Sequence, residues 1–206
     1  MTTLFVEGVP ASGKSTSVRR LAERFQARAV QEGSPDVGLP WSYADAETTV
    51  QRTTPATYLF ETWRPLAKER TFVDAKLLQN TALFCMLEER EPLGAIAARI
   101  LEELPRAGVV HLRPKDPEAH LQTTLAARAT EYPEWFAFVL PFFEKRPWCM
   151  RRGLRGADAY VGALTVWDHV CADLIPSFDV PFLALEDPAR DWDESLARMA
   201  AFADAL

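Results

Sequence analysis

The sequence predicts an α/β fold of three layers, in which a parallel sheet of about five strands carries helices on both faces. Short apolar runs alternate along the chain with longer stretches of helical periodicity, the order that builds a covered parallel sheet. The first run ends in a glycine-containing loop that opens an amphipathic helix. Length and composition agree: 206 residues at 48% hydrophobic suit one domain, residues 1–206, with a substantial core.

Leu4, Phe5 and Val6, closed by Glu7 and Gly8, read as a strand buried on both faces. From Lys14 onward Val18, Leu21, Ala22 and Phe25 recur at helical spacing, with Arg19, Arg20, Glu23 and Arg24 on the other side. Residues 34–70 are rich in Pro, Thr and Trp and read as an insertion with short helices at 44–49 and 56–68. Thr71–Val73 reads as a second strand ending in Asp74, and 77–90 and 93–104 read as helices. Gly108–Leu112 is a further strand, after which Asp116, Pro117 and Glu118 supply an N-cap, a first-turn proline and an acid for a helix reaching Thr130. The aromatic segment Trp135–Phe143 is interrupted by Pro141. Asp158 is the expected cap of a helix that carries Tyr160, Leu164, Trp167 and Cys171 on one face and stops at Pro176. Pro181–Glu186 is the last strand, and Leu196, Met199, Ala200 and Ala203 stripe the terminal helix.

The charge excludes some partners. A formal net charge of −6 argues against general binding to nucleic acid or an anionic membrane. No apolar run approaches the roughly 20 residues of a membrane span, and Met1–Glu7 lacks the basic start of a secretory leader. Cys85, Cys149 and Cys171 are too scattered for a disulfide framework or zinc site, so a reducing, cytoplasmic setting is expected. Nothing fixes an oligomeric state. The three histidines show no ligand pairing and read as structural.

The chemistry concentrates in Gly8-Val9-Pro10-Ala11-Ser12-Gly13-Lys14-Ser15, which fits G-x-x-x-x-G-K-[ST] between a predicted strand and a predicted helix. Chance gives this pattern about once in a thousand chains of this composition. The glycines let the loop turn until successive N–H groups converge on a phosphate, with the positive end of the next helix behind them. Gly8, Pro10, Ala11, Ser12, Gly13, Lys14, Ser15 and Thr16 are therefore the candidate nucleotide-binding residues: Lys14 for the β- and γ-phosphates, Ser15 for Mg²⁺, Thr16 for nearby phosphate oxygens. A nucleoside triphosphate with Mg²⁺ is the implied ligand. The chain has no Asn-Lys-x-Asp guanine motif and no LSGGQ-like signature, and it is too short for an AAA-type core with its lid.

The opening Phe5-Val6-Glu7-Gly8-Val9-Pro10-Ala11-Ser12-Gly13-Lys14-Ser15-Thr16, with the alternating elements and the length, resembles the nucleoside and nucleotide kinase group of P-loop proteins, including thymidylate-kinase-like enzymes. It looks closer still to bacterial kinase-like P-loop proteins whose acceptor is unsettled. The resemblance implies the P-loop NTPase fold, ATP and Mg²⁺, and a small-molecule acceptor bound by the insertion around 34–70. It also implies a helical lid around 117–156. In such kinases the strand beside the P-loop strand ends in an acid near the acceptor hydroxyl or the metal shell, which makes Asp74 the candidate base or outer magnesium group. Where the group carries Asp-Arg or Glu-Arg-Ser, this chain has Asp74-Ala75-Lys76.

The same resemblance places a lid arginine at Arg128, with Arg146, Arg151, Arg152 and Arg155 as a second basic cluster, and sets Glu186–Ala189 beside the adenine ring. Trp41, Tyr43, Tyr58, Phe60 and Trp63 fall where the group binds its acceptor, although core packing is the commoner role for such residues. The expectation is an ATP-dependent phosphotransferase acting on a hydroxyl or phosphate of a small molecule. The alternative is a nucleotide-binding regulatory NTPase with no such acceptor.

Overall fold

Leu4, Phe5 and Val6 lie in the central strand β1 (Thr3–Gly8), every residue of which is buried. The computed structural model describes residues 2–31, 66, 68–79, 81–90 and 93–206. Helix α1 (Lys14–Phe25) follows β1 across the glycine loop and buries Val18, Leu21 and Ala22, the predicted stripe. The other strands are β2 (Arg28–Val30), β3 (Thr71–Asp74), β4 (Ala107–Arg113) and β5 (Phe182–Glu186). All pairs are parallel, in the order β2-β3-β1-β4-β5. The order reverses at β1, and an open α/β sheet opens its ligand crevice at the carboxyl ends of the strands beside such a point.

Side chains alternate across the pleat. Leu4, Val6, Phe72, Val110 and Leu112 pack in one cluster with Val18 and Leu21 of α1 and with Met199, Ala200 and Ala203 of α8 (Trp192–Ala205). Phe5, Val73 and Val109 face the larger cluster on the other side. That layer is built by α2 (Ala82–Leu87), α3 (Ala95–Glu103), α4 (Pro117–Glu131), α5 (Pro133–Glu144), α6 (Pro147–Arg151) and α7 (Gly156–Leu174). The three-layer arrangement with helices on both faces is thus the observed one. Among the described residues no helix is long and apolar enough to cross a membrane.

Several elements differ from the sequence expectation, each for a physical reason. The helix expected over 77–90 is reduced to α2, because the N–H groups of Leu77 and Leu78 donate to the Glu7 carboxylate (2.9 and 3.2 Å) instead of entering a helix. The segment around Pro141, to which the sequence reading assigns no element, is helical. Pro141 lies one turn from the end of α5, where its missing N–H removes only one intrahelical bond. Asp158 falls in the first turn of α7 rather than at its cap, since the helix starts at Gly156, whose N–H is taken by the Glu144 carboxylate. Asp116 does cap α4, accepting from Ala119 N at 3.0 Å, with Pro117 in the first turn. The helices expected at 44–49 and 56–68 fall on a region largely outside the described residues, as do Trp41, Tyr43, Tyr58, Phe60 and Trp63.

Candidate active site

The glycine loop has the backbone its motif requires. Gly8 (φ 150°) and Gly13 (φ 97°) occupy conformations open to glycine, and Ala11 takes the left-handed region at φ 61°. A Cβ on Gly8 would stand 2.4 Å from Leu112 O and 2.7 Å from Ser12 Oγ; one on Gly13 would stand 2.5 Å from the Trp192 ring. Both positions therefore exclude a side chain by space as well as by torsion. Inside the loop Ser12 N donates to Val9 O at 3.2 Å.

Gly13 caps α1 without any side-chain acceptor, and no acid occupies the first turn, so the first N–H groups of the helix keep their positive end for an external anion. In the same turn Ser12 Oγ is buried and, among the described residues, has no hydrogen-bond partner. An orphaned hydroxyl and a cradle that only glycine permits fit a polyphosphate group. Lys14 is 6% exposed and folds over the loop, its Nζ donating to Val9 O at 2.8 Å. Ser15 is exposed at the start of α1 and Thr16 is half-buried. An exposed first-turn hydroxyl suits Mg²⁺, which takes few protein oxygens and completes its shell with phosphates and water.

Asp74 ends β3 opposite Val6, and the chain turns there through Ala75 (φ 51°), whose N–H donates to Val6 O at 2.9 Å. By strand alternation Asp74 falls on the α1 face of the sheet, with Phe72. It is fully buried. Glu7 falls on the opposite face, with Phe5, and is equally buried. Burial raises the Glu7 carboxyl to about 7, against the lowering pull of the Leu78 and Leu77 N–H groups and of Lys14, while Asp74 raises it further. Lys14 and both carboxylates therefore share one electrostatic neighbourhood, and Glu7 ties the P-loop strand to the turn after Asp74.

The sign of the Glu7 shift gives a prediction. The folded state holds this proton more tightly than the unfolded chain, so its contribution is fully present below pH 4.5 and is lost as pH rises through about 7. Between pH 5 and 7.5 the wild-type protein should lose about 2 kcal/mol that a Glu7→Gln variant retains. Urea midpoints at the two pH values check this; parallel changes in both proteins would contradict it.

His111 pairs with Glu7 across the β1–β4 ladder. His111 Nε2 lies 3.5 Å from Asp168 Oδ1 on α7, and Arg113 donates through Nε and Nη2 to Asp168 Oδ2 at 3.0 and 2.9 Å. Burial works to raise the Asp168 pKa, but the adjacent His111 ring together with the hydrogen bonds and charge of Arg113 outweighs it and holds the carboxyl below the usual range. Arg113 stands one residue past Leu112, the ladder partner of Gly8.

The loop is also tied to the elements that follow. His120 Nε2 donates to Pro10 O at 2.9 Å, fixing the start of α4 to the P-loop. Asp187 (φ 46°) accepts from Lys115 N at 2.6 Å and donates its own N–H to Arg113 O at 2.8 Å, which joins the loop after β5 to the loop after β4. Trp192 then packs on Gly13.

Arg128 lies eight residues beyond His120, about 12 Å along α4, and its guanidinium stacks over Trp135 at 5.0 Å. The second basic cluster binds α6 to the end of α2: Arg146 pairs with Glu88 at 2.9 Å and lies over the Phe142 ring, and Arg151 and Arg152 pair with Glu89. The structure thus brings together Gly8 to Thr16, Asp74 and the 187–192 segment, and it places Arg128, Arg146, Arg151 and Arg152 on partners of their own, while Arg155 is exposed just before α7. Glu7, His111, Arg113, Asp168 and the His120 tether escaped the sequence reading. The signal for Glu7 was an acid inside an otherwise apolar strand; the Arg113–Asp168 pair spans 55 residues and left none.

No family model and no curated protein sequence matches the chain. Solved structures do. The YorR protein of Bacillus subtilis, determined in complex with phosphorylated GDP, matches with a TM-score of 0.58 at 16% identity, over 98% of this chain and 96% of that one. Deoxyadenosine kinase from M. mycoides, determined with bound dATP, matches with a TM-score of 0.53 at 16% identity, over 97% and 98%. The fold is the P-loop NTPase fold. At this identity the likeness extends to the fold of such kinases and not to the residues of any one subgroup.

Proposed function

We propose that the protein is an ATP- and Mg²⁺-dependent phosphotransferase acting on a hydroxyl or phosphate of a small molecule. The observation that carries the reading is the loop itself: Gly8, Ala11 and Gly13 in glycine-type or left-handed torsions, an unpartnered Ser12 hydroxyl, and a buried Lys14 at the uncapped end of α1. Such a loop grips a triphosphate through main-chain N–H groups, and Lys14 exchanges its internal bond to Val9 O for phosphate oxygens. Mg²⁺ would be held by Ser15, with Asp74 in its outer shell, and neutralises charge on the transferring phosphoryl. The nucleotide-bound neighbours support this choice of ligand.

Asp74 orients or deprotonates the acceptor hydroxyl from the end of β3, while the P-loop amides and Lys14 hold the donor in line. Catalysis is then positioning and electrostatics in a partly water-excluded crevice. Arg128 serves as the lid arginine. Its contact with half-buried Trp135 is worth about 0.5–1 kcal/mol, so releasing it toward the phosphates costs little. The segment 187–192 borders the base, with Trp192 as its floor. The acceptor site is assigned to residues 34–70, and the protein is placed in the cytoplasm.

The test is incubation with labelled ATP, Mg²⁺ and a panel of nucleosides, nucleotides, sugars and aminoglycoside-like compounds. A phosphorylated small molecule is the expected product; slow hydrolysis alone would mark a regulatory NTPase. Asp74→Asn should lower kcat by about 100-fold or more with less than a threefold change in nucleotide Kd, and equal loss of both would remove Asp74 from the chemistry.

A further inference from the structure

Helices α4 and α7 run antiparallel: Arg113, just before α4, pairs with Asp168 toward the end of α7, whereas Arg128, near the end of α4, stacks on Trp135, whose ring meets Tyr160 near the start of α7. Between the two helices lies an open groove of about 620 Å³. This is the size range of small-molecule sites. Its walls are apolar, with Leu125 and Ala126 on one side and Val161 and Val166 on the other. Among the described residues the charged side chains that line it are Glu118 and Asp158, and no Lys, Arg or His does.

Each of these acids sits in the first turn of its own helix. The helix dipole accounts for an acid in each first turn. It does not require that both fall on the groove face, and because the helices are antiparallel they fall at opposite ends. Asp158 and Val166, the α7 residue at the Glu118 end, are eight residues apart, about 12 Å along the helix. Glu118 accepts only from Gln122 Nε2 (3.3 Å), and among the described residues neither carboxylate has a cationic partner.

We propose that the α4–α7 groove is a binding site for a linear organic dication, a diamine or polyamine with amino groups about 12 Å apart on an apolar chain. One ammonium group pairs with Glu118, the other with Asp158, and the methylenes cover Leu125, Val161 and Val166. His120 and Glu118 are two residues apart on α4 and project to different sides of the helix, so the site lies behind the P-loop rather than in it. Through the bond from His120 to Pro10 O, an occupant that steadies α4 also steadies the loop.

The probe is 1,8-diaminooctane, titrated into the full chain by calorimetry and in thermal melts, beside octylamine and 1,8-octanediol. The diamine should bind saturably at one site per chain, octylamine at least tenfold more weakly, and the diol without measurable heat. Glu118→Gln and Asp158→Asn should each weaken the diamine about tenfold, and both together should reduce it to the level of the diol, with melting temperatures in the absence of probe close to wild type. Ala126→Trp, at an exposed position on the groove wall, should block binding. Diamine affinity unchanged in the double variant, or no binding at millimolar concentration, would overturn the proposal. So would a concentration-dependent dimer that Ala126→Trp dissociates, since a second copy would then occupy the groove. None of these readouts involves phosphoryl transfer, so failure here leaves the kinase reading standing, and the reverse.

Discussion

Lys14→Ala should lower phosphoryl transfer by about a thousandfold or more while leaving the protein folded. A positioned cation or donor aimed at charge developing in the transition state is typically worth 10²–10³ in kcat, and Lys14 also contributes to holding the triphosphate, so kcat and nucleotide affinity both fall. The fold survives because the truncation removes the buried ammonium group together with its desolvation cost, and among the described residues Val9 O alone loses its donor. Circular dichroism and a melting curve close to wild type would establish that. Turnover within tenfold of wild type would show that the loop does not hold the reacting phosphates.

Asp168→Ala has the largest expected effect on stability. Its side chain is fully buried, accepts two hydrogen bonds from Arg113 and lies beside buried His111, so truncation leaves an arginine and a histidine facing an empty position at the junction of β4 and α7. Breaking a buried pair from one side costs about 3–5 kcal/mol. For a chain of this size that corresponds to a fall of about 10 °C in Tm. Arg113 is one-third exposed and can turn toward water, which places the effect nearer the lower figure. The pH signature differs from that of Glu7: the stability Asp168 supplies is present at neutral pH and is lost as pH falls through its lowered pKa. A Tm within 2 °C of wild type would show that the pair contributes nothing net.

What could be read in the sequence was what depends on neighbours along the chain. The loop from Gly8 to Ser15 and the stripe of α1 are encoded within 18 residues, and β1, β3 and β4 are apolar because both of their faces are covered. Asp116 and Pro117 start α4 through bonds within its own first turn. What escaped depends on distant partners. Strand β2 is three residues long and opens with an arginine, so only its pairing with β3 identifies it. Glu7 halts the helix expected after Asp74 from 70 residues away, and Glu144 moves the start of α7 to Gly156 by accepting its N–H. The candidate site divides the same way: the phosphate grip is local and legible, whereas the charge network of Glu7, His111, Arg113 and Asp168 exists only once β1, β4 and α7 are assembled.

The most direct measurement is a calorimetric titration of the wild-type protein and of Lys14→Ala with ATP, each with Mg²⁺ and with EDTA. Saturable binding at one site per chain in the wild type, strongest with Mg²⁺ and at least tenfold weaker in the variant, is the predicted result. Absence of heat with Mg²⁺ and ATP, or equal affinity in the two proteins, would contradict the claim that this loop is built to hold a triphosphate.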